Sequence, residues 1–329
     1  MRLGHLPLLA LALTGAAATA RQAAPTMPPA EMQRMQQAAE RARAAPDTPG
    51  TGPYRAIKQE DSSLPDHVIY RPADLATLGS TRLPILVWGN GGCSHDGAST
   101  RAHLLEIASH GYLVIASGTI RSGPGAPPQP PRPRQPMPKP GEPFVPPPPQ
   151  TSAAQMTDAI TWAQAQGGRA GSPYRGHLAT DAVAVSGWSC GGVQALEVAA
   201  DPRVKAVIIH NSGILPEKGK PLPGMELTKA ALDRLHTPIF YILGGPTDVA
   251  YANGMDDFAR ITRVPAMVAS LNIGHGGTFF EPNGGTVTRV DVAWLDWRLK
   301  GDRTASTWFV GPDCRLCTDK AWTVSRKGM

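Results

Sequence analysis

An alternating α/β fold, with a mostly parallel sheet covered by helices on both faces, is predicted by three observations. The strands read as continuous apolar runs such as "LPILVWGN", "YLVIASGT" and "VKAVIIHNSG", the pattern of strands buried on both faces. Stretches of helical period separate them, which calls for crossover connections and hence parallel pairing. The chain has 329 residues and is 41% hydrophobic, enough for a sizeable core in one large domain or two small ones.

The elements follow in order. Residues 1–20 combine a short basic start, "MRLGH", an apolar run, "LPLLALALTGAA", and small residues ending at Ala20. This is the pattern of a signal peptide, and the run is shorter than the roughly 20 residues a membrane span needs. The mature chain is therefore expected to be secreted or periplasmic, with no membrane span. Residues 21–52 are rich in Ala, Pro, Gln and Arg; "PAEMQRMQQAAERARAA" has helical composition but no wide apolar stripe, and reads as a mobile leader. Residues 53–329 read as a single α/β domain.

Within that domain, "DHVIYRPAD" and "LPILVWGN" are strands, "STRAHLLEIASHG" is a helix ending in glycine, and "YLVIASGT" is the next strand. Residues 122–150 form a proline-rich insert, with 14 of the chain's 34 prolines between 124 and 149, a composition that excludes helix and central strand. Then come the helix "QTSAAQMTDAITWAQAQGG", a strand over 181–187, a helix from Cys190, and the strands "VKAVIIHNSG", "TPIFYILGGPTD" and "PAMVASLNIGH". "GMDDFARI" lies between the last two as a helix, and "VTRVDVAWLDWRLKGD" is the final long helix before a cysteine-bearing tail.

The candidate chemistry starts at "SGWSCGG", residues 186–192, a G-x-S-x-G between a strand and a helix. That context puts Ser189 on a sharp turn with its hydroxyl clear of the sheet. A serine hydroxyl needs a base, and the base needs an orienting acid. Asp248 and His275 both fall just past strand ends downstream, on the same edge as Ser189. Asp256 and Asp257 compete for the acid role, but sit inside a helix. Two backbone N–H groups would receive an oxyanion: that of Cys190 and one from the loop "GNGGCS", with Gly91 the first choice and Asn90 and Gly92 close behind. Asn90, Trp188 and His210 are read as substrate-contacting residues.

The two donor amides must converge on one oxygen, which brings Cys93 and Cys190 near each other. A disulfide clamping the loop to the turn and a small buried thiol both fit this. Cys314 and Cys317, in "CRLC", read as a local disulfide pinning the C-terminus, because one C-x-x-C without a second ligand pair is poor evidence for zinc. No metal and no cofactor are expected. Net charge is +6 without a basic stripe interleaved with aromatics, which argues against nucleic acid as a partner. Oligomeric state is not legible.

As a set, "LPILVWGNGG", "LLEIASHGYLVIA", "VSGWSCGG", "DPRVKAVIIHNSG", "TPIFYILGGPTD", "NIGHGG" and "VAWLDWRLKGD" resemble the α/β-hydrolases, and within them the dienelactone-hydrolase and bacterial cutinase (polyesterase)-like branch. The resemblance covers roughly residues 65–320. It implies a serine carboxylesterase without metal or cofactor, its nucleophile on Ser189, acid on Asp248 and base on His275. Two other readings stay open: an exported serine peptidase of prolyl-oligopeptidase type, for whose usual propeller or cap this chain has no room, and a non-catalytic binding module on the same fold. The ester itself is also open, among sugar esters, feruloyl esters, polyesters and small esters.

Overall fold

A computed structural model describes residues 27–128, 147–216 and 224–329. The expected signal peptide and residues 129–146 of the proline-rich insert lie outside the described residues. Nine strands form one sheet: β1 (Ala56–Asp61), β2 (Leu64–Pro72), β3 (Leu83–Gly89), β4 (Leu113–Ser117), β5 (Leu178–Trp188), β6 (Val204–His210), β7 (Ile239–Leu243), β8 (Ala266–Leu271) and β9 (Trp322–Lys327), in the order β1-β2-β4-β3-β5-β6-β7-β8-β9. From β4 to β8 every neighbouring pair is parallel. The pairs β1–β2, β2–β4 and β8–β9 are antiparallel. Every residue of β3, β4 and β7 is buried, which is why those segments read as unbroken apolar runs.

Six longer helices accompany the sheet: α1 (Pro29–Ala44), α2 (Arg101–Ser109), α3 (Ala153–Gly168), α4 (Cys190–Val198), α5 (Tyr251–Arg260) and α6 (Gly285–Lys300). Two apolar cores result, one on each face. Met156 and Ile160 of α3 and Leu196 of α4 pack with Ile85, Val87 and Val185 on one side. Leu104 and Leu105 of α2 and Trp294 and Leu295 of α6 pack with Leu86, Trp88 and Ile208 on the other. Odd and even positions of one strand thus feed opposite cores. Helix ends are defined locally. Ser152 Oγ accepts from Gln155 N and Gln155 Oε1 accepts from Ser152 N, a capping box that starts α3 directly after the proline-rich insert. Gly301 ends α6 in the left-handed conformation (φ 70°), where a side chain would be strained.

The structure departs from the sequence reading in three elements. β1 and β9 are edge strands with few apolar residues. "AIKQED" and "WTVSRK" bury mainly Ala56 and Trp322, so neither has the signature of a doubly buried strand. The third departure is α1, which corrects the leader over residues 29–44 to a docked helix. Its apolar contact is confined to Met35, packed against the α2/α6 core, and its polar anchors lie at its ends, which a criterion of a wide apolar stripe does not see. The buried Glu31 carboxylate accepts from His275 N, and the buried Arg101 donates to the carbonyls of Ala42 and Ala45 (2.6 and 2.5 Å) and pairs with Asp47 (2.8 Å). A cation on the last carbonyls also suits the helix dipole. Among the described residues, no helix is long and apolar enough to cross a membrane.

β9 covers the edge of β8 along six paired residues and buries Trp322 against the α2/α6 core. Removing residues 319–329 is expected to lower the melting temperature and to produce concentration-dependent aggregation, read by light scattering, because an open parallel-sheet edge offers unpaired backbone groups to other chains. An unchanged melting curve would assign β9 no part in stability.

Candidate active site

The turn between β5 and α4 is held by backbone packing. A Cβ on Gly187 would sit 2.2 Å from Gly191 O, and one on Gly191 would sit 2.1 Å from Gly89 C. Only glycines let the start of α4 lie this close to the end of β3. Ser189 itself sits at φ 55° and ψ −123°, a conformation strained for any side chain. It is tied down on three sides: Ser189 N donates to His210 O (3.0 Å), and Ser189 O accepts from Gly192 N (2.9 Å) and Ser212 Oγ (2.7 Å).

Two other strand ends meet this turn. The loop after β7 carries Asp248 and the loop after β8 carries His275, and β6 and β7 are the next strands out from β5. His275 Nδ1 lies 2.6 Å from Asp248 Oδ1 and His275 Nε2 lies 2.9 Å from Ser189 Oγ. A carboxylate only accepts, so Nδ1 carries the proton and the Nε2 lone pair faces the serine hydroxyl. Asp248 is fixed in turn, since its carboxylate accepts from Ala250 N (2.9 Å) and Gly244 N (3.2 Å). The three residues chosen from sequence are therefore one hydrogen-bonded chain.

The competing carboxylate is elsewhere. Asp257, on α5, is fully buried and bonded elsewhere, to Lys229 Nζ (2.5 Å), Ile214 N (2.8 Å) and Tyr241 Oη (3.3 Å). Burial outweighs the lysine and pushes its carboxyl up to about 6. Asp256 is on the surface, paired with Lys229 and Arg260.

Gly91 opens a short 3-10 turn, Gly91–Cys93, and Cys190 opens α4. The first N–H groups of a helix have no acceptor within it. The contact of Gly191 with Gly89 and Asn90 brings these two helix starts to one corner beside Ser189. A disulfide joins Cys93 and Cys190 across that corner, with a Cα–Cα distance of 5.3 Å. Cys93 O also accepts from Gln150 N (2.8 Å) and Thr151 N (3.1 Å), so the returning end of the proline-rich insert is anchored on the same loop. A second disulfide links Cys314 and Cys317.

The three residues read as substrate contacts have other surroundings. Trp188 is only 8% exposed; its Nε1 donates to His275 O (2.8 Å), and its ring lies where a Cβ on Gly91 would be, 2.3 Å away. It braces the Gly91 loop against the His275 loop. Asn90 is buried and its Nδ2 donates to Ser94 O (2.9 Å) and Ser117 O (2.6 Å), which holds the loop's shape from below. His210 is 1% exposed, in the α2/α6 core beneath Trp88 and Phe279, so it lines no surface opening. Burial pushes its imidazole well below the usual range, and His103 beside it adds to this. The position of each residue at a strand end was legible, but the face its side chain takes was not.

Two residues that hold His275 escaped the sequence reading. Asn211 Nδ2 donates to Gly274 O (2.9 Å) and His275 O (2.8 Å), and Glu31 accepts from His275 N. For Asn211 a signal existed: "HNS" is a polar run ending an otherwise apolar strand next to the serine strand. For Glu31 there was none, because its partner is 244 positions away. A groove of about 450 Å³ runs between α1 and residues 273–282, lined by Glu31, Met35, Arg41, Gly276 and Phe280; it passes behind the His275 loop and does not include Ser189.

A scan against protein-family models finds no match for this chain, and a comparison with curated proteins finds none.

The Cys93–Cys190 bond closes a loop of 97 positions, for which chain entropy gives about 4–5 kcal/mol, against about 2 kcal/mol for Cys314–Cys317 at a separation of 3. Replacing Cys93 and Cys190 together by Ser is therefore expected to lower stability by several kcal/mol, measured by urea unfolding. The Cys314/Cys317 double variant should lose clearly less. Equal losses would mean that native-state contacts, not loop closure, set the effect.

Proposed function

We propose that the chain is an exported serine carboxylic-ester hydrolase of α/β-hydrolase fold, of the dienelactone-hydrolase and cutinase-like kind. One observation carries the reading: the hydrogen-bonded sequence Ser189–His275–Asp248, with the serine strained onto a strand-to-helix turn. A buried structural histidine needs no serine held at positive φ, and a non-catalytic module has no use for the strain. The strand order of the sheet and the chain order Ser, Asp, His agree with the same fold. The N-terminal 20 residues and two disulfides fit an oxidising compartment.

In this mechanism Ser189 Oγ attacks the ester carbonyl carbon while its proton passes to His275 Nε2. The imidazolium is stabilised by Asp248 through Nδ1–H. The carbonyl oxygen becomes an oxyanion and accepts from the N–H groups of Gly91 and Cys190, which no helical carbonyl occupies. His275 then gives the proton to the departing alkoxide, and the alcohol leaves an acyl-Ser189. Water attacks the acyl carbon, its proton going to His275, and collapse of the second tetrahedral intermediate returns that proton to Ser189 and frees the acid. The Cys93–Cys190 bond keeps the two donor segments from separating as charge develops between them.

Turnover of short p-nitrophenyl esters, beside a prolyl anilide, tests the reading and separates it from a peptidase. Ser189→Ala should lower kcat roughly 10⁶-fold and abolish labelling by a fluorophosphonate. Retention of a tenth of the activity would exclude Ser189 as nucleophile.

The two candidate acids should separate cleanly. Asp248→Asn leaves His275 in the wrong tautomer and is expected to cost roughly 10⁴-fold in kcat. Asp257→Asn should leave kcat within a few-fold but lower stability by about 3 kcal/mol, because Lys229 loses its buried partner. Reversed effects would move the acid to α5.

A further inference from the structure

Beneath the candidate active site, on the α2/α6 face of the sheet, three polar side chains meet in the apolar core. His103 comes from α2, His210 from the end of β6 and Asp291 from the middle of α6, and none is more than 1% exposed. His103 Nε2 lies 3.7 Å and His210 Nε2 3.5 Å from Asp291 Oδ2, and one donor atom from each of the three lies within 4.8 Å of the other two.

These separations are too long for hydrogen bonds. Five polar atoms, His103 Nε2, both nitrogens of His210 and both oxygens of Asp291, are buried without a partner. Each such atom costs about 1–3 kcal/mol in a folded core. Such a cluster without an occupant would be a large defect inside an apolar core. Trp88 and Phe279 wall it off, with ring centroids 4.9 and 5.2 Å from His103 and 5.5 and 5.4 Å from His210.

The tautomer of His103 can be assigned from its other side. Thr288 Oγ1 donates its proton to Gly284 O (2.9 Å), so it can only accept from His103 Nδ1 (2.7 Å). Nδ1 therefore carries the hydrogen, and Nε2 turns a lone pair toward Asp291 and His210. A histidine oriented through its second nitrogen is the arrangement of metal-bound imidazoles. Tetrahedral coordination with bonds of about 2.0–2.1 Å sets ligand atoms about 3.4 Å apart, close to the two separations from Asp291 Oδ2, and the three donor atoms all lie within 4.8 Å of one another.

We propose that His103, His210 and Asp291 form a binding site for one divalent cation of the zinc class, pinning α2, β6 and α6 together. Two imidazoles with one carboxylate favour a borderline transition metal over calcium or magnesium, which prefer all-oxygen shells. The fourth ligand would be a water. The role is structural: three ligands from chain positions almost 200 residues apart are drawn to one point, and no path from that point to Ser189 is implied. The site does, however, fix the end of β6, whose next two residues hold Ser189 and the His275 loop. The inference does not depend on the esterase reading, since it concerns metal content and stability alone.

The test uses the full oxidised chain, produced with zinc in the medium and purified without a metal-affinity step. Elemental analysis should find about one zinc per chain. Growth with cobalt(II) instead should give the visible absorption of a tetrahedral centre. Chelation should lower the melting temperature, and returned zinc should restore it. Asp291→Asn and His210→Gln should each lose the stoichiometric metal. Zinc far below one per chain in the folded wild type, with no chelator effect, would overturn the proposal and leave the cluster holding water or a shared proton. Stoichiometric zinc that survives in both variants would also overturn it, by assigning the ion to surface histidines. If one variant fails to fold, the cobalt spectrum and the other variant decide.

Discussion

The close approach of two backbones governs the upper edge of this molecule. Gly191, in the first turn of α4, lies against Gly89 and Asn90 at the end of β3 with no room for a single methyl group. From that contact the rest follows. It brings two helix starts to one corner, and it puts Cys93 within bonding distance of Cys190. It also forces Ser189 into a backbone conformation that costs of the order of 1–3 kcal/mol. The strain persists because the neighbouring strand over-determines it: His210, Asn211 and Ser212, in sequence, bond to Ser189 N, to the His275 loop and to Ser189 O.

The same economy applies to the histidine. Its ring bonds to Ser189 and Asp248, while its backbone is gripped separately by Trp188 and Asn211 at the carbonyl and by Glu31 at the N–H. Side chain and main chain are thus fixed by different elements. Two carboxylates on neighbouring segments, Asp248 and Asp257, differ through their surroundings alone. One receives two backbone N–H groups and the imidazole, while the other is matched to a buried lysine.

The fold was largely legible because β3, β4 and β7 are buried along their whole length and β5, β6 and β8 along most of theirs, so these segments read as apolar runs, and because glycines follow the ends of α2 and α6. Ser189, Asp248 and His275 were legible for a related reason: a parallel sheet gathers all its strand ends on one edge, so position along the chain predicts proximity. Edge strands β1 and β9 escaped because one exposed side lets them carry charge. The docking of α1 escaped because one apolar residue, Met35, and two polar end contacts do what an apolar stripe usually does. Trp188, Asn90 and His210 show the limit of the strand-end argument. It places a residue at the right edge but leaves open whether its side chain turns up toward a ligand or down into a core. Asp291 is the plainest case, one acid in the apolar run "VDVAWL" whose meaning depends on two histidines from other parts of the chain.

The bond from Glu31 to His275 has a consequence in time. A chain made from its N-terminus has Glu31 early and His275 only 244 residues later. At roughly 5–20 residues per second, the acceptor waits for something like 10–50 s before its donor exists. Ser189 and Asp248 are complete before then, but the histidine loop gains its last restraint only when nearly the whole chain is out. The Glu31 contact can form only after His275 has been made, and it then ties α1 to the loop that follows β8.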